Sequence, residues 1–165
     1  MKISRYPIVF GVTSVDLGDF IETIRPQAVD RTLRTNSEVV ALRNHDSTLP
    51  LGRRSAGTLK LVKDSHGLLA EIDVDENITY VGDLVRLIER GDAKGGSFAF
   101  TTLDDAWSLV DGQAFREILD MDLREVSLGV SFPAYAATSR DAGSRDTRRT
   151  MSIAMAERLV RQGRS

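Results

Sequence analysis

The chain has 165 residues and no cysteine, with 41% hydrophobic and 28% charged residues. This is enough for one domain with its own core, and it excludes disulfides, thiolate metal sites and a cysteine nucleophile. The formal net charge of −2 is unevenly spread: from Ala137 to Ser165 seven arginines meet three acidic residues, a local +4 that leaves −6 on the body.

Read in chain order, most of the body is strand-like. The opening "MKISRYPIVFGVTSVD" lacks the long apolar stretch and cleavage site of a signal peptide, and no apolar run approaches the ~20 residues of a membrane span. The lack of cysteine suits a reducing cytoplasm. Residues 6–15, "YPIVFGVTSV", form a β-branched run with a glycine inside, which predicts a bulged strand. Residues 22–34 hold Pro26 and then a short helix, and "EVVALR" (38–43) has the pattern of a short buried strand. In "AGTLKLVKDSHGLLAEIDVD" (56–75), two apolar runs flank the turn Asp64-Ser65-His66-Gly67, which predicts a hairpin.

Residues 78–91, "ITYVGDLVRLIERG", carry Val81, Leu84, Val85 and Ile88 at helical spacing. Asn77 or Thr79 is the expected cap at the start and Gly91 the residue that ends the helix. Four strand-like pieces follow at 95–102, 106–111, 114–122 and 123–133, the third also readable as a short helix. The stretch 137–150 is polar, Arg-rich and without period, hence a linker. Residues 151–162 form a short amphipathic helix on Ile153, Ala156, Leu159 and Val160 that needs a partner surface for stability.

Scarcity guides the search for chemistry, because the chain has two histidines. His66 lies in the "DSHG" turn, where a solvated role is expected. His45 follows a buried strand and opens "NHDSTLPLGRR", read as a loop at a strand end, where catalytic groups are commonly held. A neutral imidazole is the usual base for a serine; the plainer reading is a loop histidine bonded to Asp46 or the backbone.

In "GDAKGGSFAF" the alternation puts Ser97, Ala99 and Thr101 on one face and Phe98, Phe100 and Thr102 on the other. Ser97 then points away from an aromatic core face, after two glycines that allow close approach. An ordinary glycine-softened hairpin reads the same way, and the flanks do not fit the strained turn of the α/β hydrolases. Glu125 in "LREVSLGV" is a carboxylate among apolar strand residues and needs a partner if buried. His45 is one partner; Arg116 or Arg124 is the alternative. Asp46 and Asp73 are lesser candidates for orienting the imidazole. No metal-ligand spacing or phosphate-binding glycine loop is found, so no cofactor is expected.

Together, "ALRNHDSTLPLGRRSAGTLKLVKDSHGLLAEIDVDE", the helix ending "LIERGDAKGGSFAFT" and "FREILDMDLREVSLGVSFPAYAAT" resemble the prohead (capsid maturation) serine proteases of tailed bacteriophages, in order and in spacing. The resemblance spans Ile8 to Ala137. It implies an α+β, mainly β fold: a compact antiparallel β-barrel-like core with flanking helices, related to the herpesvirus assembly proteases. It implies a protease domain over 1–136, followed by the linker and helix of 137–165. Carried over by position, the nucleophile falls on Ser97, the general base on His45 and the orienting acid on Glu125.

The implied activity is a serine endopeptidase. Its partner is the major capsid protein precursor, from which it cuts the scaffolding segment inside the immature prohead in the host cytoplasm; it also cuts itself. Self-association fits this picture, while membrane and nucleic-acid partners do not. Gly129 departs from the family pattern, where a bulkier apolar residue is usual. The loop "GRRSAG" (52–57) is one candidate source of oxyanion-binding amides. The competing reading is a non-catalytic phage assembly or scaffold protein that binds the capsid precursor through its tail.

Overall fold

The structure, a computed structural model, describes residues 1–136. The expected linker and C-terminal helix lie outside the described residues. The described residues are mainly β with two α-helices. Strands β1 (Lys2–Val9), β5 (Leu59–Lys63) and β6 (Gly67–Asp73) form a three-stranded antiparallel sheet in the order β1-β6-β5. The second sheet holds β2 (Phe20–Ile24), β3 (Val40–Arg43), β4 (Asp46–Arg53), β7 (Gly95–Val110) and β8 (Gln113–Val130). One apolar core joins their inner faces: Ile8 of β1 and Leu68, Ala70 and Ile72 of β6 meet Ile24, Ala41, Ile118, Met121, Leu123, Val126 and Leu128.

The expected barrel is not closed and not wholly antiparallel. Among the described residues no ladder joins the two sheets. Strands β2 and β3 both run parallel to β8 along one of its edges, β2 against Ala114–Ile118 and β3 against Glu125–Leu128. Between them the chain leaves the sheet through a 3-10 turn (Pro26–Val29) and helix α1 (Asp30–Thr35). Two parallel strands need such an excursion, because a tight turn reverses direction.

The excursion leaves part of the β8 edge without a strand neighbour. Arg25 donates its amide to Ile118 O at 3.1 Å. Thr32, 1% exposed, then stands in for the missing strand. Its hydroxyl donates to Met121 O and accepts from the Leu123 amide, both at 2.9 Å. Buried backbone groups left without such partners would cost free energy.

The four pieces expected between 95 and 133 are two long strands. The turn between them is Asp111-Gly112, both at positive φ (50° and 81°), the conformation of a two-residue mirror-image hairpin turn for which Asp-Gly is a preferred pair. Register shifts between Ala99/Phe100, Thr102/Asp104 and Asp104/Asp105 interrupt the alternation and disguise the continuity. Strand β4 is the other departure, since 46–53 reads as a polar loop. It is an edge strand with mostly exposed residues and Pro50, which such an edge tolerates. The first strand ends at Val9, short of the expected Val15.

Helix α2 (Thr79–Arg90) matches its sequence pattern, with Val81, Leu84 and Val85 buried and Ile88 packed on the core. Each such burial contributes roughly 1.5–3 kcal/mol. Gly91 at φ 82° terminates it. The expected side-chain cap is absent: Ile78 occupies the N-cap position, and Asp75 instead accepts from the Asn77 amide at 2.9 Å.

The two glycines that matter most flank the end of β8. A Cβ on Gly95 would lie 2.0 Å from Val130 O, so the close approach here is backbone to backbone. Gly129 is bulged out of the ladder at φ 74°, and a Cβ there would lie 2.8 Å from Leu84 Cδ1 of α2. Glycine at 129 is therefore a local requirement of this chain.

A polar cluster holds the last described residues. Val15 donates its amide to Ala134 O at 2.8 Å, and the Tyr135 hydroxyl donates to Glu22 at 2.8 Å. Arg116 lies 3.5 Å from the same carboxylate, 2.7 Å from Asp105 and 5.4 Å from the centroid of Trp107. Burial, together with the Glu22 carboxylate, pushes the Tyr135 phenol well above its ordinary range.

Gly129→Val should destabilise the fold by about 2–4 kcal/mol, through a left-handed β-branched residue and overpacking against Leu84; denaturant unfolding within ~0.5 kcal/mol of wild type, the usual scatter of surface changes, would contradict this. In the same assay Arg116→Met should cost about 3 kcal/mol, by leaving Glu22 buried and underpaired. Tyr135→Phe should cost less, about 1–2 kcal/mol. The reverse order would show that the tyrosine is the main support of Glu22.

Candidate active site

His45 sits at the tip of a tight hairpin, where the sequence reading put it in an open loop. Arg43 of β3 pairs with Asp46 of β4, and Asn44 and His45 form the two-residue turn between them. Both have positive φ, 49° and 62°. Asparagine tolerates this conformation, but glycine is preferred at the second position. A histidine there carries a cost of about 1–2 kcal/mol, so other contacts must hold it. Two amides do so: Asn44 donates to Leu128 O and His45 to Ser127 Oγ, each at 2.9 Å.

The ring is held as firmly. His45 Nδ1 lies 2.5 Å from Glu125 Oε1. An ionised carboxylate only accepts hydrogen bonds, so the neutral ring that satisfies this contact carries its proton on Nδ1 and leaves the Nε2 lone pair available. The His45 side chain is 40% exposed and that of Glu125 10%, so the pair runs from a buried anchor to an open edge. Glu125 engages neither arginine considered for it: Arg124 pairs with Asp122, and Arg116 with Glu22 and Asp105.

Ser97 lies on the same face. It faces Ser127 directly across the β7–β8 ladder, and Ala99 faces Glu125. Opposed residues of an antiparallel pair have Cβ atoms roughly 5 Å apart. Ser97 and His45 thus approach Ser127 from two sides, one through the ladder and one through the hairpin turn. Among the described residues no hydrogen bond joins Ser97 to His45; such contacts commonly tighten when substrate binds. On the opposite face Phe98 and Phe100 stack with centroids 5.4 Å apart and pack on the core, as the alternation predicts.

The remaining candidates have other partners. Asp46 accepts from the Thr48 amide and hydroxyl at 2.8 and 2.6 Å, bonds that hold its carboxyl below the usual range. Asp73 ends β6, paired with Lys2 in the other sheet. His66 packs edge-on against Tyr6 in the β5–β6 turn, with centroids 4.5 Å apart. Several amides in and beside the "GRRSAG" loop are already engaged. The amides of Arg53, Arg54, Gly57 and Thr58 all donate internally. The Arg54 guanidinium caps the end of α1 through the carbonyls of Thr32, Leu33 and Asn36.

Sequence reading missed Ser127. Its signal was the strand period itself, since Ser127 stands two residues after Glu125 and so shares its face. Also missed was the way helix α2 braces the hairpin: Tyr80 Oη donates to Pro50 O of β4 at 2.6 Å. Among the described residues no group of three or more His, Asp or Glu side chains gathers as a metal site.

An imidazole fixed on one nitrogen by a buried carboxylate, with no partner on its other nitrogen among the described residues, can accept a proton and return it. A serine on the neighbouring strand supplies a hydroxyl. No curated protein matches the chain significantly. The family model for the caudovirus prohead serine protease matches residues 1–152. With nearly its whole length covered, the chain belongs to the caudovirus prohead serine protease family and is a serine protease.

Proposed function

We propose that the protein is the endopeptidase that matures a phage prohead, with Ser97 as nucleophile, His45 as general base and Glu125 as orienting acid. The observation that carries this reading is the 2.5 Å contact between His45 and Glu125, on the sheet face that Ser97 shares. The scissile carbonyl lies against Ser97 Oγ, and Nε2 of His45 takes the hydroxyl proton as the acyl bond forms. The imidazolium then protonates the leaving amine, and a water activated by the same nitrogen releases the acyl-enzyme. Glu125 keeps the proton on Nδ1 throughout and stabilises the imidazolium.

The substrate in this reading is the scaffolding segment of the major capsid protein precursor, cut inside the immature shell in the bacterial host. The enzyme also cuts its own chain, and copies associate within the shell. Residues 1–136 form the catalytic domain; the Arg-rich 137–165 act as an extension that docks on the capsid–scaffold assembly or is removed on activation. The relation in fold to the herpesvirus assembly proteases belongs to the same proposal and rests on the resemblance of the sequence blocks.

Co-expression with the cognate capsid precursor tests this directly. Wild type should yield shortened capsid protein on a gel, and Ser97→Ala should leave the precursor intact. Equal processing by both would remove Ser97 from the mechanism. Glu125→Gln should slow processing by at least ~100-fold, because an amide no longer holds the proton on Nδ1. His45→Ala should be about as damaging as Ser97→Ala, and the double variant little worse than either, since such groups act as one unit. Additive losses in the double variant would argue against a shared step.

A further inference from the structure

We propose that Ser127 is a positioning residue that sets both the backbone and the ring of His45. The inference rests on the roles of Ser97, His45 and Glu125 given above. Ser127 is fully buried in β8. Its hydroxyl accepts from the His45 amide at 2.9 Å and donates to Glu125 Oε2 at 2.7 Å. Glu125 Oε1 in turn accepts from His45 Nδ1 at 2.5 Å. These three contacts close a circuit that leaves His45 at its amide and returns to it at its ring.

Each link does separate work. The amide contact holds a histidine at a backbone angle that glycine prefers. The hydroxyl contact occupies the second carboxylate oxygen and so fixes the rotation of the carboxyl plane, a torsion that is otherwise broad. A serine hydroxyl has a single proton. With that proton given to Glu125, the lone pairs are left for the His45 amide, so the two contacts reinforce each other. The committed proton and full burial also exclude Ser127 as a second nucleophile. Directly across the ladder stands Ser97, so the group that orients the base is fixed in register with the nucleophile.

The test uses a fluorophosphonate probe, which reports serine reactivity without a known cleavage site, and ring 15N NMR of a 15N-histidine-labelled protein, which has two histidines to assign. Ser127→Ala should fold, label about 10-fold or more slowly than wild type, and show His45 losing its pure Nδ1–H tautomer signature. Ser127→Thr, which keeps the hydroxyl, should restore both readings. A purely structural serine would lower the melting temperature and leave the tautomer unchanged. Wild-type labelling with unchanged His45 signals in Ser127→Ala would overturn the inference, as would failure of the threonine to restore either reading. If the alanine variant does not fold, Ser127→Cys, a weaker donor and acceptor, should show the same two changes in smaller degree, and wild-type values there would overturn it. Ser97→Ala should not label at all; labelling at the wild-type rate would remove the underlying assignment of the nucleophile, whatever Ser127 does.

Discussion

The structure depends on β8, an 18-residue strand whose two edges must both be satisfied. One edge is taken along almost its whole length by β7. The other is divided among β2, the Thr32 hydroxyl and β3. This division places the hairpin turn with His45 at the end of β3 beside the same residues that Ser97 meets from β7. The candidate site is where three strands are in register around Glu125 and Ser127.

In the α/β hydrolases the nucleophile sits on a strained turn. Here the strain lies with the proposed base. Ser97 occupies a regular ladder position opposite Ser127, while His45 holds a positive φ in a two-residue turn. Strained residues persist where their surroundings over-determine them, and the surroundings here include helix α2 as well as β8. Tyr80 ties the helix to β4, and Leu84 packs on the Gly129 bulge beside the ladder. One helix therefore braces both the hairpin that carries His45 and the end of the sheet that carries Ser97.

Much of this was legible in the residues. The 3.6-residue period of α2, the β5–β6 hairpin and the two faces of 97–102 follow from patterns that tertiary packing reinforces. Scarcity narrowed the candidate base to His45, and Glu125, a carboxylate among apolar strand residues, needed a partner if buried. Other features were hidden for physical reasons. Bulges break the period-two signal of β7 and β8, so each reads as two strands, although Asp111-Gly112 marks the hairpin between them. Strand β4 is too exposed to carry an apolar pattern. The parallel placement of β2 and β3 has no local signal, because it depends on which edge of β8 is free. Ser127 was readable from its spacing to Glu125, but a serine in a strand attracts notice only once its two partners are known.

The split edge of β8 has a further consequence. Because β2 and β3 each set their own register against β8, the length of chain between them does not determine where His45 falls. That connection passes through the exposed pair Ser37 and Glu38. Added chain at this point disturbs the exposed contacts of Glu38 with Asn36 and Arg53 and otherwise meets the slowly growing entropy of loop closure, about 0.6 kcal/mol per doubling of length. The site is thus insulated from insertions at this crossover, which makes it a natural point for grafting a reporter or a tether.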